Sequence, residues 1–226
     1  MNVLLIAFGQ KKMFRRPIAA FLHLLIYVGF IIINLEVLEF IIDGLSGQHR
    51  FFAKVLQNWY PTETGYNAFY NILMNGFEVL TAGVIIACII FLFRRNVLKI
   101  RRFTGIEMTR WPLLDANLIL IFEIILMTAI LTMNGADQAL QNLGSEGYIN
   151  TGTLYFSHKI IMPIVENMNA GQLIIIERFC WWFHIIGILG FAVYVTYSKH
   201  LHIVMAFPNT YFGNLAPPST MDNMPE

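Results

Sequence analysis

Charged residues and cysteines are both scarce in this chain of 226 residues. Charged residues make up only 13% of it, whereas a typical soluble domain carries about a quarter. Hydrophobic residues make up 57%, and the mean hydropathy is +0.60. This composition excludes an ordinary water-soluble domain and indicates that lipid is the main solvent of the chain.

The two cysteines exclude two further classes of protein. Cys88 and Cys180 lie far apart, inside apolar runs, and form no CxxC pair. They therefore provide neither a disulfide framework nor an iron–sulfur motif, and we expect no iron–sulfur cluster in this chain. A secretory signal is not indicated either, because the basic residues near the N-terminus follow the short apolar run instead of preceding it.

Four apolar stretches are each long enough to cross a bilayer, which requires about 20 residues. They cover approximately residues 17–44, 67–93, 113–135 and 173–205. The sequence therefore predicts an all-α membrane bundle of four transmembrane helices within a membrane domain of residues 1–207. Residues 208–226 are polar and contain prolines, so we expect a linker or tail.

Most of the 15 basic residues fall at one end of this predicted bundle. They precede the first helix, lie between the second and third helices, or lie near the end of the fourth helix. Positive residues favour the cytoplasmic side of a membrane. We therefore expect both termini in the cytoplasm, and long outer loops between the first and second helices and between the third and fourth.

Four histidines fall where they could serve as haem ligands. His184 and His202 are 18 residues apart, so on a continuous helix they would share one face about 27 Å apart. His23 lies two turns into the first helix, at the depth expected for His202. Two axial imidazoles give a low-spin haem suited to electron transfer. His200 competes with His202, although on a continuous helix it would point to a different face.

The same histidines also have a simpler interpretation. A histidine near the end of a membrane helix often lies at the interface with basic side chains, and His200 follows Lys199 directly. His23 and His184 lie deeper, where an ionisable group is costly and usually functional. His49 and His158 fall in the predicted outer loops, where we expect them to be solvated unless one of them approaches an outer site.

Acidic residues in or near the apolar helices form a second group of candidates. Glu39, Glu78, Asp137 and Glu177 fall toward the outer side, where they could meet His184 and handle the protons released by a quinol. Their alternative role is structural. Glu36 and Glu39, for example, are one turn apart and could simply approach the outer water layer.

The fourth helix resembles that of a known family of membrane cytochromes. Its segments Glu177–His184 (ERFCWWFH) and Tyr197–Ile203 (YSKHLHI) are similar to the last helix of the gamma subunit of respiratory nitrate reductase. They look still more like the membrane domain of heterodisulfide-reductase-type iron–sulfur oxidoreductases, as do Phe8–Lys12 and Met133–Asp137. The resemblance covers most of the chain, and the helix with two histidines is its most specific part.

This resemblance implies a quinone-linked membrane cytochrome b. An inner haem b would be ligated by His23 and His202. An outer haem would use His184 and a histidine at a position that is Ile33 here, next to Asn34. One haem is therefore expected, and a second would need a ligand from elsewhere, with His49 and His158 as the candidates.

The resemblance also implies partners and a location. Electrons would pass between a quinone and an iron–sulfur protein, present as a separate subunit or a fused domain, at the cytoplasmic face. The basic loop Arg94–Arg110 would be its docking surface, and Arg15, Arg16 and Lys199 lie at the depth of inner haem propionates. We expect a multi-pass protein in the inner membrane of a bacterium or archaeon, in contact with lipid and without a nucleic-acid partner.

Two other functions remain open at this point. A transporter could use the buried acids as an ion path, but it gives no reason for the spacing of 18 residues, and the sequence has no inverted repeat. A haem-free anchor could merely attach a soluble redox enzyme to the membrane. Ile33, where the family has a histidine, favours the anchor.

Overall fold

The computed structural model describes residues 14, 17–59, 68–98 and 110–212. A π-helical turn (Ser157–Ile161) and a 3₁₀ turn (Lys199–Leu201) accompany the α-helices. No strand is present in the described ranges. The α-helices are, in chain order, α1 (Pro17–Ser46), α2 (Phe51–Trp59), α3 (Ala68–Asn96), α4 (Arg110–Asn142), α5 (Met162–Val165), α6 (Ala170–Val195) and α7 (His202–Phe212).

The helices α1, α3, α4 and α6 are long and apolar enough to cross a membrane, which confirms the predicted all-α bundle of four transmembrane helices. The chain is therefore a multi-pass membrane protein. Large apolar side chains such as Ile18, Ile72 and Ile175 cover its outside, where lipid replaces water. Consecutive transmembrane helices pack together, α1 on α3, α3 on α4 and α4 on α6.

Four consecutive crossings place the helix ends at two levels. We call the level where α1 and α4 begin and α3 and α6 end the basic end, because α3 ends there with Arg94 and Arg95. The opposite level carries α2 and α5 and is called the loop end. That the loop end faces outward and the basic end faces the cytoplasm remains a prediction.

Glycines set two of the helix contacts. A Cβ atom on Gly29 would lie 2.6 Å from Val84 Cγ2, and one on Gly187 would lie 2.7 Å from Leu126 Cδ2. Both distances are shorter than carbon atoms tolerate. Glycine therefore lets α1 approach α3, and α6 approach α4, as small residues do in membrane bundles.

The third and fourth transmembrane helices differ from their predicted extents. The third continues to Asn142 instead of ending near Gly135, so Asp137 lies within a helix. The fourth begins with a capping box between Asn169 and Gln172 and ends at Val195, well before residue 205. His184 and His202 therefore do not share one continuous helix, and the predicted spacing of about 27 Å along a single axis is wrong.

Several predicted features lie wholly or partly outside the described residues. They include Phe8–Lys12, Arg15 and Arg16, most of the basic loop between α3 and α4, and the tail beyond Phe212. The predicted start of that tail, at residue 208, falls inside α7, which continues through Pro208 to Phe212.

Candidate functional site

A cavity of about 440 Å³ lies near the basic end, between α1, α3, α4 and the segment that follows α6. Three of the four candidate histidines line it: His23 from α1, His200 from the 3₁₀ turn and His202 at the start of α7. Its volume is within the range of ligand pockets. Its other lining residues include Tyr27, Phe30, Cys88, Phe91, Arg95, Glu123, Phe191 and Phe207.

The predicted pair, His23 and His202, therefore shares one cavity. The two imidazoles are close enough to interact electrostatically. Nδ1 of His23 is buried without a hydrogen-bond partner, which is costly for a ring nitrogen unless a ligand or metal takes it. His200 also lines this cavity, with its ring centroid 5.5 Å from that of His202. The prediction that His200 points elsewhere is wrong because it assumed an unbroken helix.

These residues fit a haem b with two imidazole ligands. Within the described ranges no cluster of three or more His, Cys, Asp or Glu residues could hold a bare metal ion. A haem needs only axial ligands from the protein, because the porphyrin supplies the equatorial nitrogens. The aromatic and aliphatic walls of the cavity suit a flat apolar ring, and Arg95 supplies a cation for its carboxylates.

A second cavity, of about 330 Å³, continues from the first and contains His184. Ile26, Phe30, Glu123 and Phe191 line both cavities. His184 is only 2% exposed, and its Nδ1 is buried without a hydrogen-bond partner. The position where the family has a second histidine does face this site, because Ile33 and Asn34 line the same cavity.

This second cavity does not fit a haem with two histidine ligands. His184 is the one imidazole among its lining residues, and the Asn34 side chain donates to the Phe30 carbonyl of its own helix. The two alternative ligands lie elsewhere. His49 bonds Asp137 at 2.7 Å, and His158 is exposed on the π-helical turn.

Asp115 of α4 is a buried carboxylate that the sequence interpretation did not identify. Only 2% of its surface is exposed. Its Oδ1 accepts hydrogen bonds from the Tyr194 hydroxyl at 2.6 Å and from the Ser198 hydroxyl at 2.8 Å. These bonds attach the end of α6 and the following turn to α4. Asp115 also interacts electrostatically with Arg95, which lines the histidine cavity.

At the loop end, Arg50 is the centre of a buried ionic cluster. Its guanidinium donates to Asp137 Oδ2 at 2.7 Å and to Asn134 Oδ1 at 2.7 Å. Its Nη1 lies 3.9 Å from Glu39 and 4.0 Å from Glu36. Burial disfavours its charge, but Tyr70 and the three carboxylates hold the pKa of Arg50 well above its ordinary value.

The backbone of Arg50 is held in a left-handed conformation, with φ of 52°. Such a conformation is uncommon for residues other than glycine. Asp43 stabilises it by accepting the backbone N–H groups of Arg50 and Phe51 at 3.0 and 2.9 Å, and Glu39 accepts that of Phe52 at 2.9 Å. Carboxylates of α1 thus cap the N-terminus of α2, where orphan N–H groups and the helix dipole favour negative charge.

The predicted proton candidates are therefore only partly brought together. Glu39 and Asp137 meet at Arg50, and Glu78 lies within electrostatic range of Glu36 in that cluster. Glu78 itself accepts the backbone N–H groups of Phe156 and Ser157 at the start of the π-helical turn.

Glu177 lies at the edge of the cluster. It accepts the Tyr148 hydroxyl at 3.4 Å and pairs with Arg178 at 3.2 Å. Burial and the charge of Glu177 raise the pKa of Tyr148 to about 12. His184 was also expected to meet these acids, but it lines the second cavity instead.

Two predictions about the loop end are wrong. Glu36 and Glu39 are 0% and 1% exposed, so they do not approach water. His49 is largely enclosed, with 17% of its side chain exposed, because it bonds Asp137 and packs against Tyr148 with ring centroids 4.7 Å apart. Both errors have one cause: tertiary contacts at the loop end enclose these side chains.

Comparison with known proteins gives one distant relative. Over 213 residues, which are 92% of this chain and 26% of the relative, the chain is 27% identical to a Bacillus subtilis (strain 168) protein named probable iron-sulfur-binding oxidoreductase FadF. The chain thus spans about a quarter of that protein's length. No family model and no solved structure matches the chain. The similarity supports a link to iron–sulfur oxidoreductases, as the sequence resemblance implied.

Proposed function

We propose that this chain is a membrane cytochrome b domain that carries electrons between a quinone and an iron–sulfur oxidoreductase partner. The observation that carries the proposal is the convergence of His23, His200 and His202 on one apolar cavity inside a membrane bundle. His23 lies within α1, where an ionisable group is costly, and three imidazoles on one cavity favour a shared ligand.

In this proposal His23 and His202 would hold a single haem b, and His200 lies beside them in the same cavity. A haem with two imidazole ligands supplies reversible one-electron transfer between its ferric and ferrous states. The chain's own residues would bind and orient the ring: the histidines would hold it, and Phe30, Phe91 and Phe207 would pack against it. The cavity around His184 lacks a second imidazole, so the proposal includes one haem and not two.

The iron–sulfur partner is proposed from the name of the distant relative and from the resemblance of α6. A partner on a separate subunit, or a domain fused to the chain, would dock at the basic end, close to the histidine cavity. Arg94 and Arg95 at the end of α3 supply positive charge there. Electrostatic attraction would then favour a partner with an acidic docking face.

The quinone is the other proposed electron partner. Oxidation of a quinol releases two protons with two electrons, so acids in the bundle have a role as acceptors. Glu39, Glu78, Asp137 and Glu177 remain the candidates, and Glu36 joins them because its Oε2 is buried without a hydrogen-bond partner. The same cluster weakens the transporter alternative, since Arg50 and its neighbours hold most of these carboxylates in fixed hydrogen bonds.

The proposal is tested by purifying the chain in detergent and recording reduced-minus-oxidised absorption spectra with a pyridine haemochrome assay. We expect a low-spin b-type spectrum with about one haem per chain. His23→Ala should abolish haem binding, whereas the matched control His158→Ala, on an exposed histidine, should retain it. A folded protein without haem would overturn the proposal and favour the anchor function.

A further inference from the structure

Asp115 is a buried carboxylate near the start of α4. It lies about one helical turn inside the apolar part of α4, where a carboxylate is costly unless it is well bonded. It receives hydrogen bonds from the last turn of α6, through Tyr194, and from the turn that follows, through Ser198. Both donors precede His200 and His202 by only a few residues in sequence.

Ser198 connects Asp115 to the histidine segment, which we define as residues 200–202. Its hydroxyl donates to both carboxylate oxygens of Asp115, at 2.8 and 3.0 Å. The same oxygen accepts the backbone N–H of His200 at 3.1 Å and lies 3.5 Å from Nδ1 of its ring. Ser198 is itself buried. The carboxylate is therefore two hydrogen bonds away from the backbone that places His200.

This attachment matters because α6 ends at Val195. On a continuous helix, His200 and His202 would face in different directions. Instead the chain turns after Val195, and both rings reach the cavity that contains His23. The bonds from Tyr194 and Ser198 to Asp115 fasten that turn to α4. They thus determine where the histidine segment enters the cavity.

Asp115 has a second connection to the same cavity. It interacts electrostatically with Arg95 of α3, whose guanidinium donates to the Pro112 carbonyl at 3.1 Å and which lines the cavity. One carboxylate thus links α3, α4, α6 and the histidine segment around the site. Its negative charge also partly balances the cation of Arg95.

We infer that Asp115, acting through Ser198, is a positioning residue for the haem ligand carried by the histidine segment. This inference rests on the proposed function, because it assumes that a haem occupies the cavity. Asp115 does not contact the iron; it fixes the turn that carries the ligand and contributes negative charge near the site. That charge favours the ferric state, so removing it should move the midpoint potential to more positive values.

The test compares Asp115→Asn and Ser198→Ala with a matched control, Asn117→Ala. Asn117 also lies near the start of α4 and bonds a neighbouring helix, through Asn96 at 2.9 Å, but it does not reach the histidine segment. Each variant is purified, titrated with haem and examined by redox potentiometry and by electron paramagnetic resonance of the ferric state. Ser198→Ala is the milder change and keeps the test informative if Asp115→Asn fails to fold.

We expect Asp115→Asn to weaken haem binding by about 10–100-fold, the range for residues that orient metal ligands. The midpoint potential should become more positive and the low-spin resonance should shift, with smaller changes in the same direction for Ser198→Ala and none for Asn117→Ala. Asp115 and Ser198 variants with the wild-type affinity, potential and resonance would overturn the inference alone. A wild-type chain without haem would overturn the proposed function and the inference with it.

Discussion

Replacing Arg50 with alanine should be among the most destabilising single changes in the loop end. Arg50 is 3% exposed and donates to Asp137 and Asn134, with Glu36 and Glu39 within 4.0 Å. Removing it leaves buried carboxylates without their shared cation, which costs about 3–5 kcal/mol. At about 2–4 °C of melting temperature per kcal/mol for a chain of this size, the expected fall is about 6–20 °C.

Arg178→Ala is the matched control, because it removes the same side chain from a pair that is not enclosed. The Arg178 side chain is 60% exposed and pairs with Glu177 at 3.2 Å. An exposed pair contributes about 0–1 kcal/mol. Cys88 and Cys180 provide the assay, because both thiols are buried and a maleimide dye that fluoresces on reaction reports their exposure as the protein unfolds.

The comparison of the two arginine variants is decisive. If Arg50→Ala and Arg178→Ala melt within about 2 °C of each other, the cluster around Arg50 does not hold the loop end together and the reasoning fails. A second comparison separates lost pairing from lost packing. Adding Asp137→Asn to Arg50→Ala removes the unpaired carboxylate charge of Asp137 and should recover part of the lost stability. The effects of two mutations on directly bonded residues differ from additivity by about 0.5–3 kcal/mol.

Two further predictions concern the cavities and the helix contacts. Ile33→His should place a second imidazole in the cavity of His184. The haem content in the haemochrome assay should then rise from about one to about two per chain. An unchanged ratio would contradict the reasoning that this cavity lacks a haem because it lacks a second imidazole. Gly29→Ala should push α1 away from Val84 and cost about 1–3 kcal/mol in the thiol-exposure assay, whereas Gly76→Ala, which meets nothing within 4 Å, should be neutral or slightly stabilising. Equal melting of the two glycine variants would refute that close contact.

The four transmembrane helices could be predicted from sequence because lipid imposes a simple requirement. Each span must satisfy its backbone internally, so a long apolar run has essentially one solution. The end of α6 could not be predicted in this way. Between Val195 and His202 there is no glycine or proline to mark a break. The helix ends where Tyr194 and Ser198 bond Asp115, which is a tertiary contact between residues about 80 positions apart.

In the candidate sites, too, the features that depend on tertiary contacts could not be predicted from the sequence. The pair His23 and His202 was predicted from depth and from the family resemblance, and the structure brings both to one cavity. Arg50 was missed because it follows His49 in a polar connection that reads as an outer loop. Its burial depends on α2 folding back onto α1, which hydropathy does not encode. The acids Glu36, Glu39 and Asp43 on the preceding span were the one indication in the sequence.

The two ends of the bundle differ in how their buried polar groups are arranged. His23 and Glu36 are 13 residues apart on α1, about 20 Å along its axis. Around Glu36 the buried polar groups bond one another and the start of α2. Around His23 the imidazoles converge on a cavity instead. Between them, Ile33 interrupts what would be a second ligand pair with His184. A single haem at the basic end would therefore exchange electrons near that end, and a histidine at position 33 is the change that would extend the path toward the loop end.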